Sequence, residues 1–279
     1  MVYDERRHIV LVLIACVISV LVALGVCWGV GGFASWHWLW QLPLTWVGSM
    51  AVCIVLVFAF LWICTKTVNL EEPQEEDSPF FRKLITLSAK NALILMHVKL
   101  HVTGLEKLPK DRRFMLVCNH LYLFDPLVLL AVMPQAQLAF IAKKEVANMP
   151  IVAQLLHRTM GQFIDRENDR AAIITIRSCI DLGKEDKASV AVFPEGYTSR
   201  DGKLQPFRNG VFKIARRGKV PVVVCTLRNT QKMLNNLFSP KAKHVYLNVL
   251  DVLEPESFQG STTADIGDRA HALMKTVVD

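Results

Sequence analysis

The feature that most constrains this chain is a long uncharged stretch near its start. From His8 to Thr65 the sequence contains no Asp, Glu, Lys or Arg. Two apolar runs lie within it, Ile9 to Gly31 and Thr45 to Cys64. Each is long enough for a membrane-spanning helix, which needs about 20 predominantly apolar residues. We therefore predict a two-helix membrane hairpin in residues 1–68.

The segment between the two runs supports a membrane location. Its sequence, GFASWHWLWQLPLT, contains Trp36, Trp38 and Trp40, and tryptophan is enriched at membrane–water interfaces. A signal peptide is the rival interpretation, but its apolar region is usually about 7–15 residues long. The first run is longer and leads into a second one, which favours the hairpin. A re-entrant hairpin within one leaflet stays open, because tilt and depth depend on packing.

Basic residues occur at the two ends of the predicted hairpin and not in the segment that connects its helices. Arg6 and Arg7 precede the first run, Lys66 follows the second, and the connecting segment has neither Lys nor Arg. Because Lys and Arg favour the cytoplasmic side, both ends of the hairpin are predicted to lie there. We expect an integral membrane protein with its globular part on the cytoplasmic face, at the cell inner membrane if the chain is bacterial.

Charge and cysteine content narrow the range of partners. The net charge of +7 suits contact with anionic lipid head groups, at about 1 kcal/mol for each basic residue near the surface. No nucleic-acid-binding motif is present, so we expect the lipid bilayer and not nucleic acid as partner. The seven cysteines form no CxxC pair, so buried thiols are expected instead of disulfides or a zinc site.

The rest of the chain has the pattern of an α/β domain after a short linker. Residues 69–78, NLEEPQEEDS, are acidic and contain a proline, which predicts a linker. Pro79 to Met96 has apolar residues at helical spacing, which fits a helix on the bilayer surface or one packed on the core. The domain is predicted to cover residues 79–279.

Within that domain, short apolar strands alternate with helices. The predicted strands are Val98–Val102, Phe114–Cys118, Ala139–Ala142, Gln162–Ile164, Val190–Phe193, Val220–Cys225 and His244–Val252. The predicted helices are Pro126–Val132, Pro150–Met160, Asp169–Leu182, Gly210–Arg217 and Ala264–Val278. This alternation predicts an α/β fold with a mostly parallel sheet flanked by helices. Ligands of such sheets bind at the carboxyl ends of the strands.

The motif NHLYLFDP follows one of these strand ends. Asp125 before Pro126 is typical of a helix N-cap. In a strand–turn–helix the same carboxylate can also bind one imidazole nitrogen of His120 and leave the other to take a proton. The chain has no GxSxG motif, and the adjoining Cys118 is expected to lie in the core. The nucleophile is therefore predicted to be the hydroxyl of a bound acceptor, deprotonated by His120, with no covalent enzyme intermediate.

Three further strand ends carry candidate binding residues. Arg166 ends the segment GQFIDR, where it suits a phosphate group or a surface salt bridge. Glu195 follows the strand VAVF, and it could orient a hydroxyl or pair with Arg166. Gly196 would allow a ligand close to the backbone. Lys143, with its neighbouring lysine, forms another basic strand end.

The four motifs in this order resemble those of the glycerolipid acyltransferase family, especially 1-acylglycerol-3-phosphate acyltransferases. They are N-H-x4-D, F-I-D-R, F-P-E-G and V-P-V, and the resemblance covers roughly residues 95–255. It implies that His120 is the general base and Asp125 its orienting partner. It further implies that Arg166, Glu195 and Gly196 hold the glycerol phosphate of the acceptor. The donor would be acyl-CoA or acyl-carrier protein, with no metal ion or other cofactor.

One position departs from the family pattern. Many members continue F-P-E-G with T-R-S, but Thr198 stands here in place of that arginine. Arg200 follows, and Arg208 occupies the position of a downstream lysine. Either these arginines replace the lost charge or the acceptor head group differs.

The expected function is that of a membrane-bound O-acyltransferase. It would transfer a fatty acyl group to the free hydroxyl of 1-acylglycerol 3-phosphate and so produce phosphatidic acid. Three alternatives remain open: a different lysolipid acceptor, a thioesterase that uses water, and a non-catalytic lipid-binding membrane scaffold.

Overall fold

The computed structural model describes residues 9–29, 36–199, 202–234 and 241–278. The chain divides into two compact units, an N-terminal unit that ends at Val68 and a C-terminal unit that begins at Asn69.

Two helices form the N-terminal unit, α1 (Ile9–Gly29) and α2 (Trp38–Thr65). The Ser19 hydroxyl of α1 donates to Met50 Sδ of α2 at 3.3 Å, and Ser49 Oγ donates to the Ser19 carbonyl at 3.2 Å. Among the described residues, α2 alone is long and apolar enough to cross a membrane. The part of α1 described with its side chains, Ala15–Gly29, is apolar but shorter. Arg6, Arg7 and the last two residues of the predicted first span lie outside the described residues.

The predicted second span, Thr45 to Cys64, lies within helix α2, which begins earlier, at Trp38, and continues through Pro43. Trp38 and Trp40 therefore belong to the helix and not to a connecting turn. Tryptophan at an interface is equally compatible with helix and loop, so composition could not set this boundary.

A seven-stranded sheet forms the centre of the C-terminal unit. Its strands are β1 (Val98–Thr103), β2 (Met115–Cys118), β3 (Leu138–Lys143), β4 (Gln162–Ile164), β5 (Ser189–Val192), β6 (Val222–Arg228) and β7 (Lys243–Leu253). Their order is β1-β7-β6-β2-β5-β3-β4, and only the β6–β7 pair is antiparallel among the described strands. The predicted α/β fold with a mostly parallel sheet is confirmed.

Helices flank this sheet. They are α3 (Pro79–Leu95), α4 (Asp125–Val132), α5 (Val152–Arg158), α6 (Asp169–Lys184), α7 (Lys213–Gly218) and α8 (Thr263–Val278). The last three contribute buried side chains to one hydrophobic cluster with β2, β5 and β6. Met115 and Val117 of β2 belong to that cluster, so Leu116 and Cys118 face the other side of the sheet.

The apolar stripe of α3 is packed on the core, as one of the two predictions for this segment proposed. Phe81, Ile85, Ala89 and Leu93 are all buried. Arg82 is buried as well, and its guanidinium binds Asp77 at 2.8 Å and the carbonyl oxygens of Leu138 and Thr159 at 2.6 and 3.0 Å.

The same contacts fix the end of the acidic segment 69–78. A buried guanidinium needs such partners, because a charge removed from water without them is costly. Through Arg82, the segment is held to the start of β3 and the end of α5.

Candidate active site

The candidate site is built where β2 and β5 end side by side. Val117 of β2 pairs with Val192 of β5 in parallel register, so the loops after both strands leave the sheet together. The backbone N–H of His120 donates to Glu195 Oε1 at 2.7 Å, and the N–H of Ser199 donates to the His120 carbonyl at 2.7 Å. The histidine and the F-P-E-G turn are therefore in direct contact.

His120 and Asp125 form the predicted pair. The imidazole Nδ1 lies 2.7 Å from Asp125 Oδ2, the aspartate is fully buried, and the histidine side chain is 19% exposed. The imidazole ring also stacks on Phe193, with the ring centroids 4.2 Å apart. Because the carboxylate engages Nδ1, Nε2 is the nitrogen that can take a proton from a ligand.

The predicted capping role of Asp125 was wrong. Helix α4 begins at Asp125 itself, and the preceding Phe124 makes no side-chain cap. The Asp125 carboxylate instead accepts the N–H groups of Leu121 and Tyr122 at 2.6 and 2.9 Å. These donors come from the loop before the helix, because the turn after His120 folds its N–H groups around the carboxylate. Asp125 thus fixes the loop as well as the imidazole.

Glu195 holds two loops together through its carboxylate. Its Oε1 accepts from His120, and its Oε2 accepts the N–H of Gln205 at 3.0 Å. The predicted alternative of a pair with Arg166 is wrong, since the ion pairs among the described residues do not include one between these two side chains. Burial raises the pKa of Glu195 to about 7, although the two N–H donors act in the opposite direction.

This pKa predicts a pH-dependent contribution to stability. A carboxyl whose pKa rises from 4.5 to about 7 on folding binds its proton more tightly in the folded state. The stabilisation of the fold by Glu195 is fully present below about pH 4.5 and is lost as the pH rises through about 7. Glu195→Gln does not titrate, so thermal unfolding of this variant should lack that part of the pH dependence. The exposed Glu167→Gln is the control, and identical pH dependence in Glu195→Gln and the wild type would contradict the assignment.

Gly196 lies under two arginine side chains. Its φ of +81° is in the region that favours glycine, and a Cβ at this position would lie 2.8 Å from Arg208 Nε and 3.6 Å from Arg166 Nη1. The two guanidinium groups therefore converge on the same turn. Burial, and next the charge of Arg208, lower the pKa of Arg166, while Glu145 acts in the opposite direction.

Neither guanidinium has a carboxylate partner within 4.0 Å in the described part of the chain. Two like charges held together without a directly bound carboxylate favour the binding of an anion, and guanidinium groups bind phosphate in a bidentate manner. The arrangement suits a phosphate group beside His120.

The remaining predicted residues are less closely connected to this centre. Lys143 Nζ forms an ion pair with Glu145 Oε1 at 2.9 Å, and both side chains are about half exposed. Thr198 is half-buried in the turn after Gly196. Arg200 lies outside the described residues. Cys118 is buried, and burial raises the pKa of its thiol well above the usual value, as suits a core residue.

Sequence reasoning did not predict a role for Asn119. Its side chain is buried, accepts the N–H of Leu227 at 2.7 Å and donates to the Leu227 carbonyl at 3.0 Å. It therefore ties the end of β2 to β6 and sets the point from which His120 leaves the sheet. The sequence feature that could have indicated this role is the position of Asn119 directly before His120.

Comparison with known proteins agrees with the predicted resemblance. Residues 99–228 match the model of a family described as Acyltransferase. This segment contains His120, Asp125, Arg166, Glu195, Gly196 and Arg208.

Curated relatives named 1-acyl-sn-glycerol-3-phosphate acyltransferase are similar over part of the chain. The Saccharomyces cerevisiae protein is 28% identical over 67% of this chain and 61% of its own length. The Cocos nucifera protein is 35% identical over 43% of this chain and 39% of its own. The chain therefore spans less than two thirds of the length of these relatives. The Borreliella burgdorferi protein is 27% identical over 67% of this chain and 76% of its own.

A solved structure shares the fold. The crystal structure of the 1-acyl-sn-glycerophosphate (LPA) acyltransferase PlsC from Thermotoga maritima superposes with a TM-score of 0.59 at 25% identity. The match covers 80% of this chain and 92% of that chain.

Proposed function

We propose that this chain, whose residues 99–228 match the Acyltransferase family model, converts 1-acylglycerol 3-phosphate to phosphatidic acid. The observation that supports this best is a histidine, oriented by a buried aspartate, beside two arginines without carboxylate partners. The histidine and the aspartate suit the activation of a hydroxyl, and the two arginines suit the binding of a phosphate.

In the proposed reaction His120 acts as general base. Its Nε2 takes the proton of the acceptor hydroxyl, and the oxygen attacks the carbonyl carbon of the acyl thioester. The carbon–sulfur bond then breaks, and the leaving thiolate takes the proton from the imidazolium. The products are an ester and a free thiol. Asp125 holds the imidazole by Nδ1 and stabilises its charged form, so the reaction needs no metal ion and no other cofactor.

We propose that Arg166 and Arg208 bind the phosphate of the acceptor. Because Gly196 has no side chain, the Arg208 guanidinium can pack directly over the turn and, with Arg166, meet the phosphate there. Glu195 supports this site indirectly, because it binds the backbone of both loops. Arg208 thereby replaces the charge missing at Thr198.

The donor is proposed to be acyl-CoA or acyl-carrier protein, and the protein is proposed to be integral to the membrane. The apolar helix α2 supports the second point. By the charge distribution around the hairpin, the catalytic domain would face the cytoplasm, and a bacterial protein would lie in the inner membrane.

A panel of acceptors tests the proposed substrate. Purified protein in lipid nanodiscs is given labelled acyl-CoA or acyl-carrier protein with 1-acylglycerol 3-phosphate, with lysolipids of other head groups, or with no acceptor. We expect acyl transfer to be fastest with 1-acylglycerol 3-phosphate, with labelled phosphatidic acid as the product. The substitution at Thr198 motivates the second candidate function, a preference for another lysolipid, and faster transfer to one would favour it. No transfer from either donor by folded protein would favour a lipid-binding scaffold.

A further inference from the structure

The exposed apolar side chains of the C-terminal unit are concentrated at one edge of the sheet. Nine large apolar or aromatic side chains of this unit are exposed among its described residues, and seven follow the carboxyl ends of the parallel strands. These seven are Leu123 after β2, Met149 and Val152 after β3, Ile173 and Ile174 after β4, Tyr197 after β5, and Leu234 after β6. We refer to these seven residues as the apolar rim.

The apolar rim lies at the same edge of the sheet as the candidate active site. Leu123 lies three residues after His120, and Tyr197 directly follows Gly196. Leu123 is 62% exposed and Ile174 is 67% exposed, so these side chains contribute little to the core. Ile173 and Ile174 lie in the first two turns of α6, which begins at Asp169 close to the end of β4.

The opposite edge of the sheet has a different surface. Its exposed residues include Lys110, Asp111, Arg112, Gln135, Glu185, Asp186 and Lys219. No exposed large apolar side chain lies in the described residues just before the strands, which are 104–114 before β2, 133–137 before β3, 159–161 before β4, 185–188 before β5 and 219–221 before β6. The contrast separates the rim from the scattered apolar residues that are normal on any protein surface.

The chemistry of the rim fits a lipid surface better than a protein partner. Arg166 follows β4 at this edge of the sheet, and Arg208 lies against Gly196 after β5. Neither has a carboxylate partner within 4.0 Å among the described residues, so both complement anionic head groups. Tyr197 combines an exposed ring with a hydroxyl that donates to Gln205, the kind of residue enriched at membrane interfaces.

We propose that the apolar rim is a bilayer-docking surface of the C-terminal unit. In this arrangement Leu123, Ile173, Ile174 and Tyr197 insert among the acyl chains, and the guanidinium groups lie at head-group depth. This contact is separate from the apolar helix α2, and it brings the end of β2 to the membrane whatever lipid the site accepts. It does not depend on the proposed reaction, and its test requires no turnover.

Photocrosslinking of the full chain in nanodiscs of phosphatidylcholine and phosphatidylglycerol tests the proposal. The amino acid p-benzoylphenylalanine replaces Leu123 in one variant and Ile174 in a second. The control variant carries it at Arg112 on the opposite edge. After irradiation, mass spectrometry of the peptides should show lipid adducts at the first two positions and none at the third. Thermal unfolding of each variant checks that it has kept the fold.

Several results would overturn the proposal. They are equal adducts at all three positions, no adducts at Leu123 and Ile174, or crosslinks to a second copy of the chain in place of lipid.

A further variant tests whether the residues of the apolar rim contact the bilayer together. With Ile173→Glu and Ile174→Glu present, the yield of lipid adducts at Leu123 should fall several-fold. An unchanged yield would also overturn the proposal, because Leu123 would then contact lipid without the rest of the rim.

Discussion

Replacement of His120 by alanine is expected to lower kcat for acyl transfer by about 10²–10⁴-fold, the usual contribution of a general base. The acceptor hydroxyl loses its proton poorly at neutral pH, and within the described site His120 is the group whose free nitrogen is oriented by a buried carboxylate. The imidazole is partly exposed and supports no other element through its side chain apart from its contacts with Asp125 and Phe193. The variant should therefore fold.

The control for this experiment is His244→Ala, which removes an exposed histidine from β7. It should retain wild-type turnover, and thermal unfolding of His120→Ala should stay close to that of the wild type. Equal turnover by His120→Ala and the wild type would show that another group removes the proton. Loss of the fold in His120→Ala would require the comparison to be repeated with His120→Gln.

Removal of one guanidinium from the pair over Gly196 is expected to weaken acceptor binding strongly. A hydrogen bond to a charged group contributes about 1.5–3 kcal/mol, so Arg208→Gln or Arg166→Gln should raise the KM for 1-acylglycerol 3-phosphate by about 10- to 150-fold. The effect on kcat should be smaller, because the phosphate is not changed in the reaction. Initial rates over a range of acceptor concentrations separate the two parameters.

Arg216→Gln is the matched control, because it removes an exposed arginine of α7. Its KM for the acceptor should equal that of the wild type. The loss in Arg208→Gln should also be larger for acceptors with a phosphate monoester than for lysolipids without one. The same loss with every acceptor would indicate a general disturbance of the F-P-E-G turn and would contradict a phosphate-binding role.

The sequence was sufficient to predict the sheet and the contact between His120 and Asp125. Short apolar runs alternate with helical ones, and the N-H-x4-D spacing can close only through a turn between strand and helix. Both patterns are local, so they can be recognised without knowledge of the tertiary structure. The start of α2 at Trp38 shows the limit, because the uncharged sequence around it contains no charge that marks a helix boundary.

The remaining features depend on contacts between distant segments. Arg166 follows β4 and Arg208 lies in the segment after β5, and their convergence on Gly196 cannot be deduced from spacing. Glu195 was predicted to contact a ligand or an arginine, whereas backbone N–H groups of two loops occupy its carboxylate. Hydrogen bonds to backbone leave no signature in residue types, and the same is true of the donors to Asp125.

The central claim is that the acceptor hydroxyl, and not a group of the protein, attacks the thioester. The most direct measurement is a single-turnover reaction in which excess protein in nanodiscs is mixed with radiolabelled acyl donor. Without acceptor, we expect no burst of free thiol and no label on the protein. When 1-acylglycerol 3-phosphate is added, thiol and labelled phosphatidic acid should appear together in equal amounts. A burst of thiol with label bound to the protein before acceptor is added would contradict the account.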